Sequence, residues 1–285
     1  MPELPELPDV PGVPGGTDRL LDLALRTGRA AAALIRERAG DGVSVAATKS
    51  SEVDVVTQTD RDSEALIRGL VAAERPDDAF LGEEGDDVAG TSGVRWVVDP
   101  IDGTVNFLYG LPEYAVSIAA QVQRGAGEWE TVAAAVFNVP RAIEYAAWTD
   151  PAGVVHATKD GRPIAVRGPA PLAHRLVATG FSYDAGLRAL QAQALTRMIA
   201  EVRDIRRNGA AALELCHVAE GTLDGYFEEG VHLWDFAAGA HIARGAGCRA
   251  EVLTGQTGRI LVVCAPEHGF DDLRELVARS GFATG

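Results

Sequence analysis

WVVDPIDGTVNF, residues 96–107, sets two carboxylates at the exit of what reads as a buried strand. Trp96-Val97-Val98 is a short continuous apolar run, the pattern of a strand covered on both faces. Asp99 follows at its end and Asp102 comes three residues later, with the rigid Pro100 between them. Gly103-Thr104 then opens the backbone into a turn or a helix start. Asp, Pro and Gly are also ordinary turn residues, so punctuation after a strand is the competing reading. The choice depends on whether other acidic residues stand at comparable places.

Two other segments repeat the plan. FLGEEGDD (80–87) puts Glu83-Glu84 straight after a short apolar run, and HLWDFAAG (232–239) puts Asp235 where an apolar helix begins. Ends of neighbouring elements meet along one edge of a sheet, so these positions are suited to converge. Singly, each has a plainer reading: a solvated turn for Glu83-Glu84, a turn for Asp99 and Asp102, a helix cap for Asp235. Together, two carboxylates about 5 Å apart repel by roughly 3 kcal/mol at an effective dielectric near 20. Four would take up protons or bind cations. Oxygen donors without His or Cys select Mg²⁺, Mn²⁺ or Ca²⁺ over zinc. The Gly103 and Thr104 amides suit an oxyanion, and the Thr104 hydroxyl can orient a water. Hard cations beside an anion-binding turn amount to a metal-dependent phosphatase site with metal-activated water as nucleophile. The aspartyl-phosphate route is disfavoured on spacing. The DxDGT motif of haloacid-dehalogenase-like phosphatases has one residue between its aspartates, and this chain has two. One extra residue re-aims a side chain in an extended segment.

Composition is in keeping with an enzyme of this kind. At 285 residues and 47% hydrophobic, the chain can bury a large core. Its longest apolar stretches are strand-sized or amphipathic, so no membrane span is expected, and the N-terminus lacks the pattern of a secretory signal. Cys216, Cys248 and Cys264 are an odd number without CxxC spacing, which points away from a disulfide framework or zinc site and toward a reduced, cytoplasmic setting. The net charge of −15 is uneven: residues 1–150 hold 26 Asp and Glu against 12 Lys and Arg, and 151–285 hold 15 against 14. That balance speaks against a nucleic-acid partner, and it would repel an anionic substrate unless cations sit between them.

Along the chain, MPELPELPDVPGVPGG (1–16) is Pro/Gly-rich and reads as a disordered tail. A helix is expected from Thr17 to about Gly40, with Leu20, Leu23, Ala24, Ala31, Leu34 and Ile35 on its apolar face. A second follows Thr59, with Leu66, Ile67, Leu70 and Val71 on one face, and stops at Pro76. Strands are expected at 94–98, 114–122, 132–139 and 143–148, then at 164–166, 176–179, 226–228, 249–253 and 260–264. Helices near 187–201, 209–220, 234–245 and 270–280 interleave with the later strands. This order gives an α/β (α+β) fold of layered sheets and helices, with no repeat and no clear linker. The expected organisation is a single catalytic domain over 17–285, with sub-lobes of about 17–150 and 151–285.

The motif set resembles the inositol monophosphatase family, and its bacterial branch in particular. GEE (82–84), WVVDPIDGTVNF (96–107) and GVHLWDFAAG (230–239) look like its signature blocks. TKSSEVDVVTQTDRDSE (48–64), LPEYAVSIA (111–119) and IRRNGAAALELCHVAEGTLDGYFE (205–228) support them. The resemblance implies the five-layered α-β-α-β-α sandwich of the inositol monophosphatase and fructose-1,6-bisphosphatase type, and Mg²⁺-dependent, lithium-sensitive hydrolysis of small phosphomonoesters. Carried over, Glu83, Asp99 and the Ile101 carbonyl would hold one Mg²⁺, and Asp99, Asp102 and Asp235 a second. A third, weaker ion would lie near Glu83, and Mn²⁺ is a possible substitute. Glu83 and Thr104 would position the water, with Asp60 supporting Thr104 and Lys49 in the loop over the site. Phosphate would rest on the metals and on the Gly103 and Thr104 amides, Ile101, Asp102 and Asp235 would also bind substrate, and Gly209, Ala210, Ala211 and Glu228 would lie beside the polyol.

In the resemblance, Ala210 departs from a usual Ser or Thr, and Asn208 from a usual apolar or aromatic residue. The expected substrate is myo-inositol 1-phosphate or a related polyol phosphate. Fructose 1,6-bisphosphate, histidinol phosphate, a 3′-phosphoadenosine nucleotide or a regulatory binding role are the alternatives, and a homodimer is the implied assembly. Cys216, His217 and His241 read as core or surface residues, and Trp96 and Trp234 as core anchors.

Overall fold

Two amphipathic helices open the chain and cover one face of a large sheet. The structure, a computed structural model, describes residues 16–40, 45–48 and 55–283. The Pro/Gly-rich tail, but for Gly16, and Lys49 lie outside the described residues. Helix α1 (Gly16–Gly40) starts and stops where the apolar period predicts, and buries Leu20, Leu23, Ala24, Ala31 and Ile35. Strands β1 (Val45–Thr48) and β2 (Val55–Thr57) form a small antiparallel pair. Helix α2 (Gln58–Glu74) follows and ends ahead of Pro76. Thr57 caps it and Asp60 closes the capping box, while Ile67 and Val71 point inward and Leu70 stays exposed.

The large sheet runs in sequence order through β3 (Ala79–Gly82), β4 (Val94–Asp102), β5 (Ala115–Gly125), β6 (Glu128–Asn138), β7 (Ile143–Thr149), β8 (Val155–Lys159) and β9 (Arg162–Pro163), with the short α3 (Thr104–Tyr109) after β4. Only β3 and β4 pair in parallel; the rest is an antiparallel meander, as the strand pattern suggested. β4 is apolar throughout its first half because both faces are covered. Trp96 and Val98 pack with α1 and α2, and Val97 packs on the opposite side.

The second half adds β10 (Leu176–Thr179), α4 (Ala185–Met198), β11 (Asp204–Arg206), α5 (Ala211–Ala219), β12 (Gly225–Glu229), α6 (Leu233–Gly245), β13 (Cys248–Thr254), β14 (Ile260–Pro266) and α7 (Phe270–Ser280). Its strands form a five-stranded sheet in the order β11-β10-β12-β14-β13. Helices α5 and α6 lie between the sheets and share one core with Val97, Ala119 and Ala134 on one side and Tyr226, Val262 and Cys264 on the other. Helices α4 and α7 cover the outer face through Met198, Leu273 and Val277. The result is five layers, α-β-α-β-α. The strand expected at 164–166 does not form. Pro163 cannot donate to a ladder, and Ile164 and Val166 instead cross to the inter-sheet core, where the Val166 N–H donates to the Ala246 carbonyl at 3.1 Å.

Candidate active site

Residues three apart point to opposite faces of a regular strand, so Asp99 and Asp102 need a correction to face the same way. The sheet register supplies it. Asp99 pairs with Ser117 and Asp102 with Ala115, leaving two β4 residues opposite the single Val116. This β-bulge at Pro100-Ile101 puts both carboxylates on the face shared by Ser117 and Ala115, toward α5 and α6. The turn reading is also correct locally, since Asp99 Oδ1 accepts the Ile101 N–H at 3.0 Å. Glu83 follows β3, whose Gly82 pairs in parallel with Val98, so Glu83 emerges level with Asp99. Behind it, buried Glu64 of α2 accepts the Glu84 N–H at 2.8 Å and leaves no room for a Cβ at Gly82.

Asp235 is the third residue of α6, not its cap. His232 is the N-cap, and Asp235 Oδ2 accepts the His232 N–H at 2.6 Å. Asp102 serves a helix end as well. Its two oxygens accept the N–H groups of Ala211 and Ala212 at 3.2 and 2.7 Å, capping α5 in place of Ala210, which has no capping oxygen. Asp60 holds Thr57 with Oδ2 and stands 3.0 Å from the Thr104 hydroxyl with Oδ1. That hydroxyl is also 3.1 Å from the Ile101 carbonyl, so its single proton serves one acceptor at a time. Gly103 has φ +91°, and a Cβ there would meet the Glu113 and Gly209 carbonyls at 3.1 and 3.2 Å.

Glu83, Asp99, Ile101, Asp102, Gly103, Thr104, Gly209, Ala211, Glu228 and Asp235 line one cavity of about 860 Å³. Asp60 and Ala210, both buried, stand behind its wall, and Lys49 lies outside the described residues. Trp234, expected as a core anchor, packs against the inter-sheet core and also lines the cavity, where it stacks on His232 with ring centroids 4.8 Å apart. Trp96 is a core anchor, its indole N–H donating to Asp78.

Burial, with Glu83, Asp102 and Asp235 nearby, pushes Asp99 well above the usual carboxylate range. Burial and Asp235 do the same to Asp102, and burial and Glu83 lift Asp235 to about 8. Glu83, Asp99, Asp102 and Asp235 are close enough that their charges act on one another, and a cation among them would relieve that repulsion. Among the described residues no three acidic, imidazole or thiol side chains already converge as a formed metal cage. The donor chemistry nevertheless fits a hard divalent ion: oxygen-only and crowded, with Asp99 and Asp102 buried and Glu83 and Asp235 half-buried at the cavity wall.

The sequence profile of the inositol monophosphatase family matches residues 17–278. The chain belongs to the inositol monophosphatase family. It is 43% identical over 265 residues to the inositol-1-monophosphatase SuhB of Mycobacterium tuberculosis, covering 87% of this chain and 90% of that one. The solved structure of M. tuberculosis SuhB superposes with a TM-score of 0.77 at 40% identity, covering 94% and 99% of the two chains. A Pasteurella multocida relative named Nus factor SuhB is 36% identical over 230 residues, 80% of this chain and 83% of that one. Membership makes the chain a phosphoric monoester hydrolase. Within the inositol monophosphatase frame, the cavity also contains residues that the motif reading left out: Phe181, Ser182, Tyr183, Arg207, Glu229, His232 and Arg259. Of these, Arg207 and His232 lay inside quoted blocks, IRRNGAAALELCHVAEGTLDGYFE and GVHLWDFAAG, but were given no role there. Arg206, the neighbour of Arg207, turns to Asp204 at 2.7 Å.

Proposed function

We propose that this chain is a Mg²⁺-dependent phosphomonoesterase that hydrolyses a small polyol phosphate, with myo-inositol 1-phosphate as the reference substrate. The supporting observation is the gathering of Glu83, Asp99, Asp102 and Asp235 from three chain segments into one cavity with the Gly103-Thr104 turn. Glu83, Asp99 and the Ile101 carbonyl would hold one ion, Asp99, Asp102 and Asp235 a second, and a third, weaker one would lie near Glu83. Mn²⁺ suits the same donors. When bound, the metal supplies Lewis-acid charge that activates water and stabilises the leaving oxygen.

The chain's own side chains orient and select. With its proton given to Asp60 Oδ1, the Thr104 hydroxyl keeps its lone pairs for a water and fixes the direction of attack. The Gly103 and Thr104 N–H groups suit phosphate oxygens at the start of α3. Glu228 receives the Tyr226 hydroxyl at 3.0 Å and would accept from polyol hydroxyls. Water attacks phosphorus in line, the ester P–O bond breaks, and no covalent enzyme intermediate forms. Free, buried cysteines are in keeping with the cytoplasm, and the family resemblance suggests a homodimer. A regulatory role beside hydrolysis is the second reading, favoured by the relative named Nus factor SuhB.

The test is phosphate release, with and without Mg²⁺, from inositol 1-phosphate, fructose 1,6-bisphosphate, histidinol phosphate and adenosine 3′,5′-bisphosphate. Inhibition by millimolar lithium is expected, and absence of Mg²⁺-dependent release from all four compounds would end the proposal.

A further inference from the structure

Arg207 and Arg259 are the two guanidinium groups lining the cavity. Among the described residues neither has a carboxylate within ion-pair distance, although Asp184, Glu228 and Glu229 line the same space. Arg259 belongs to the turn between β13 and β14, which a buried carboxylate holds, and a buried amide braces that carboxylate's backbone and the Ser182 loop. Glu229, 2% exposed, accepts both the N–H and the hydroxyl of Thr257 through Oε1, each at 2.9 Å. Gly255 packs so tightly on this carboxylate that a Cβ would lie 2.3 Å from Oε1, and its N–H donates to the Arg259 carbonyl at 2.8 Å. Gln191 of α4, 1% exposed, donates to the Glu229 carbonyl at 3.2 Å and accepts the Ser182 N–H at 2.9 Å. Ser182 in turn receives Arg259 Nη1 on its hydroxyl at 3.3 Å.

Burying a carboxylate and an amide is a costly way to fix two surface loops. Those loops bring the Ser182 hydroxyl and the Arg259 guanidinium to the cavity, with Phe181, Tyr183 and the Asp184 carboxylate beside them. Arg207 reaches the cavity from the segment before α5, where Gly209 makes room for it: a Cβ there would lie 2.7 Å from Arg207 Nη1. A guanidinium offers a planar fork matched to phosphate or carboxylate. At about 860 Å³ the cavity is also in the range that takes drug-sized ligands, more than a singly phosphorylated cyclitol fills.

We propose that Arg259, with Ser182 beside it and Arg207 facing the same cavity, forms a second anion subsite, so that the preferred substrate is a small phosphate ester bearing a second phosphate or a carboxylate. The inference rests on the phosphatase reading for the place of the scissile phosphate. The probes are myo-inositol 1-phosphate, fructose 1,6-bisphosphate and 6-phosphogluconate. Each is measured on the wild type, Arg259→Ala and Arg259→Lys, by Mg²⁺-dependent phosphate release and by equilibrium binding with Ca²⁺ in place of Mg²⁺. Arg259→Ala should raise KM for the bisphosphate or the phosphogluconate at least about tenfold and move inositol 1-phosphate less than about twofold, with Lys recovering part of the loss. The compound with the larger change identifies the second group as phosphate or carboxylate. Equal change for all three probes, or none, overturns the subsite. If the wild type releases no phosphate from any of them, the phosphatase reading fails on its own. The Ca²⁺ binding ratios then still decide: a ratio between doubly and singly anionic probes that Arg259→Ala leaves unaltered overturns the inference. Arg259 is exposed, so thermal unfolding of the variants should match the wild type.

Discussion

Replacing His217 by Gln should remove a pH dependence that the fold itself creates. His217 lies on α5 with its side chain 19% exposed, Nε2 2.7 Å from Glu113 Oε1 and Nδ1 3.2 Å from Glu220 Oε1. Burial alone would push the imidazolium down, but hydrogen bonds to Glu113 and Glu220 outweigh it and lift the group to about 9. The same histidine, with Lys159 and the Tyr145 hydroxyl, overcomes burial and holds Glu220 at about 2. A group raised from 6.5 to about 9 stabilises the fold fully below its unfolded value and ceases to do so as pH climbs through 9. That interval corresponds to about 3 kcal/mol, most of it lost between pH 7 and 10. Glu220 is the other side of the same interaction, so the two are not added.

Urea unfolding at pH 6, 8 and 10, followed by circular dichroism, reads this directly. At pH 6 the variant should be less stable by about 3 kcal/mol, because Glu113 and Glu220 lose the cation they share, keeping only Arg141 and Lys159 on their other oxygens. By pH 10 the gap should have closed to less than about 1 kcal/mol. A gap that stays constant across the range, or a variant as stable as the wild type at pH 6, would refute the assignment of charge to His217.

Asp99→Asn should lower Mg²⁺-dependent phosphate release by about 10²–10³-fold or more with unchanged circular dichroism, and retained turnover would remove Asp99 from the ligand set. Thr104→Ala should cut kcat by about a hundredfold with little change in KM, and Thr104→Ser should restore most of it; a KM effect alone would contradict the water-orienting role. Glu228→Ala should raise KM for inositol 1-phosphate about tenfold and for a nucleotide substrate less, whereas equal effects would count against polyol contact. Gly103→Ala forces a side chain into φ +91° beside two carbonyls and should lower stability by about 1–3 kcal/mol in thermal unfolding.

The layered fold was legible because its elements are decided locally. α1, α2 and α7 follow the helical period closely, and the two-sided burial of Trp96-Val97-Val98 is written in its lack of polar residues. β8 and β11 were not read, since short strands such as Val155–Lys159 and Asp204–Arg206 owe their pairing to neighbours and not to a strong pattern. In the site, the carboxylates were found by their positions at element ends. The bulge that turns Asp99 and Asp102 to one face was not, because a register is set by two strands together. Arg259 and Glu229 were missed for a similar reason: Thr257 and Glu229 meet across 28 residues, and no spacing rule joins them.

Asp102 limits how the enzyme can be disarmed for trapping a bound substrate. Its carboxylate accepts two N–H groups from the start of α5, and an Asn there would turn an amide NH₂ toward one of them. An inert version made at this position would therefore also loosen the helix whose first residue, Ala211, lines the cavity, and a lost complex could be blamed on either change. Asp99 accepts one backbone N–H, which an Asn oxygen can still receive. Crystallographers and calorimetrists wanting a silent but intact cavity should alter residue 99 and leave residue 102 alone.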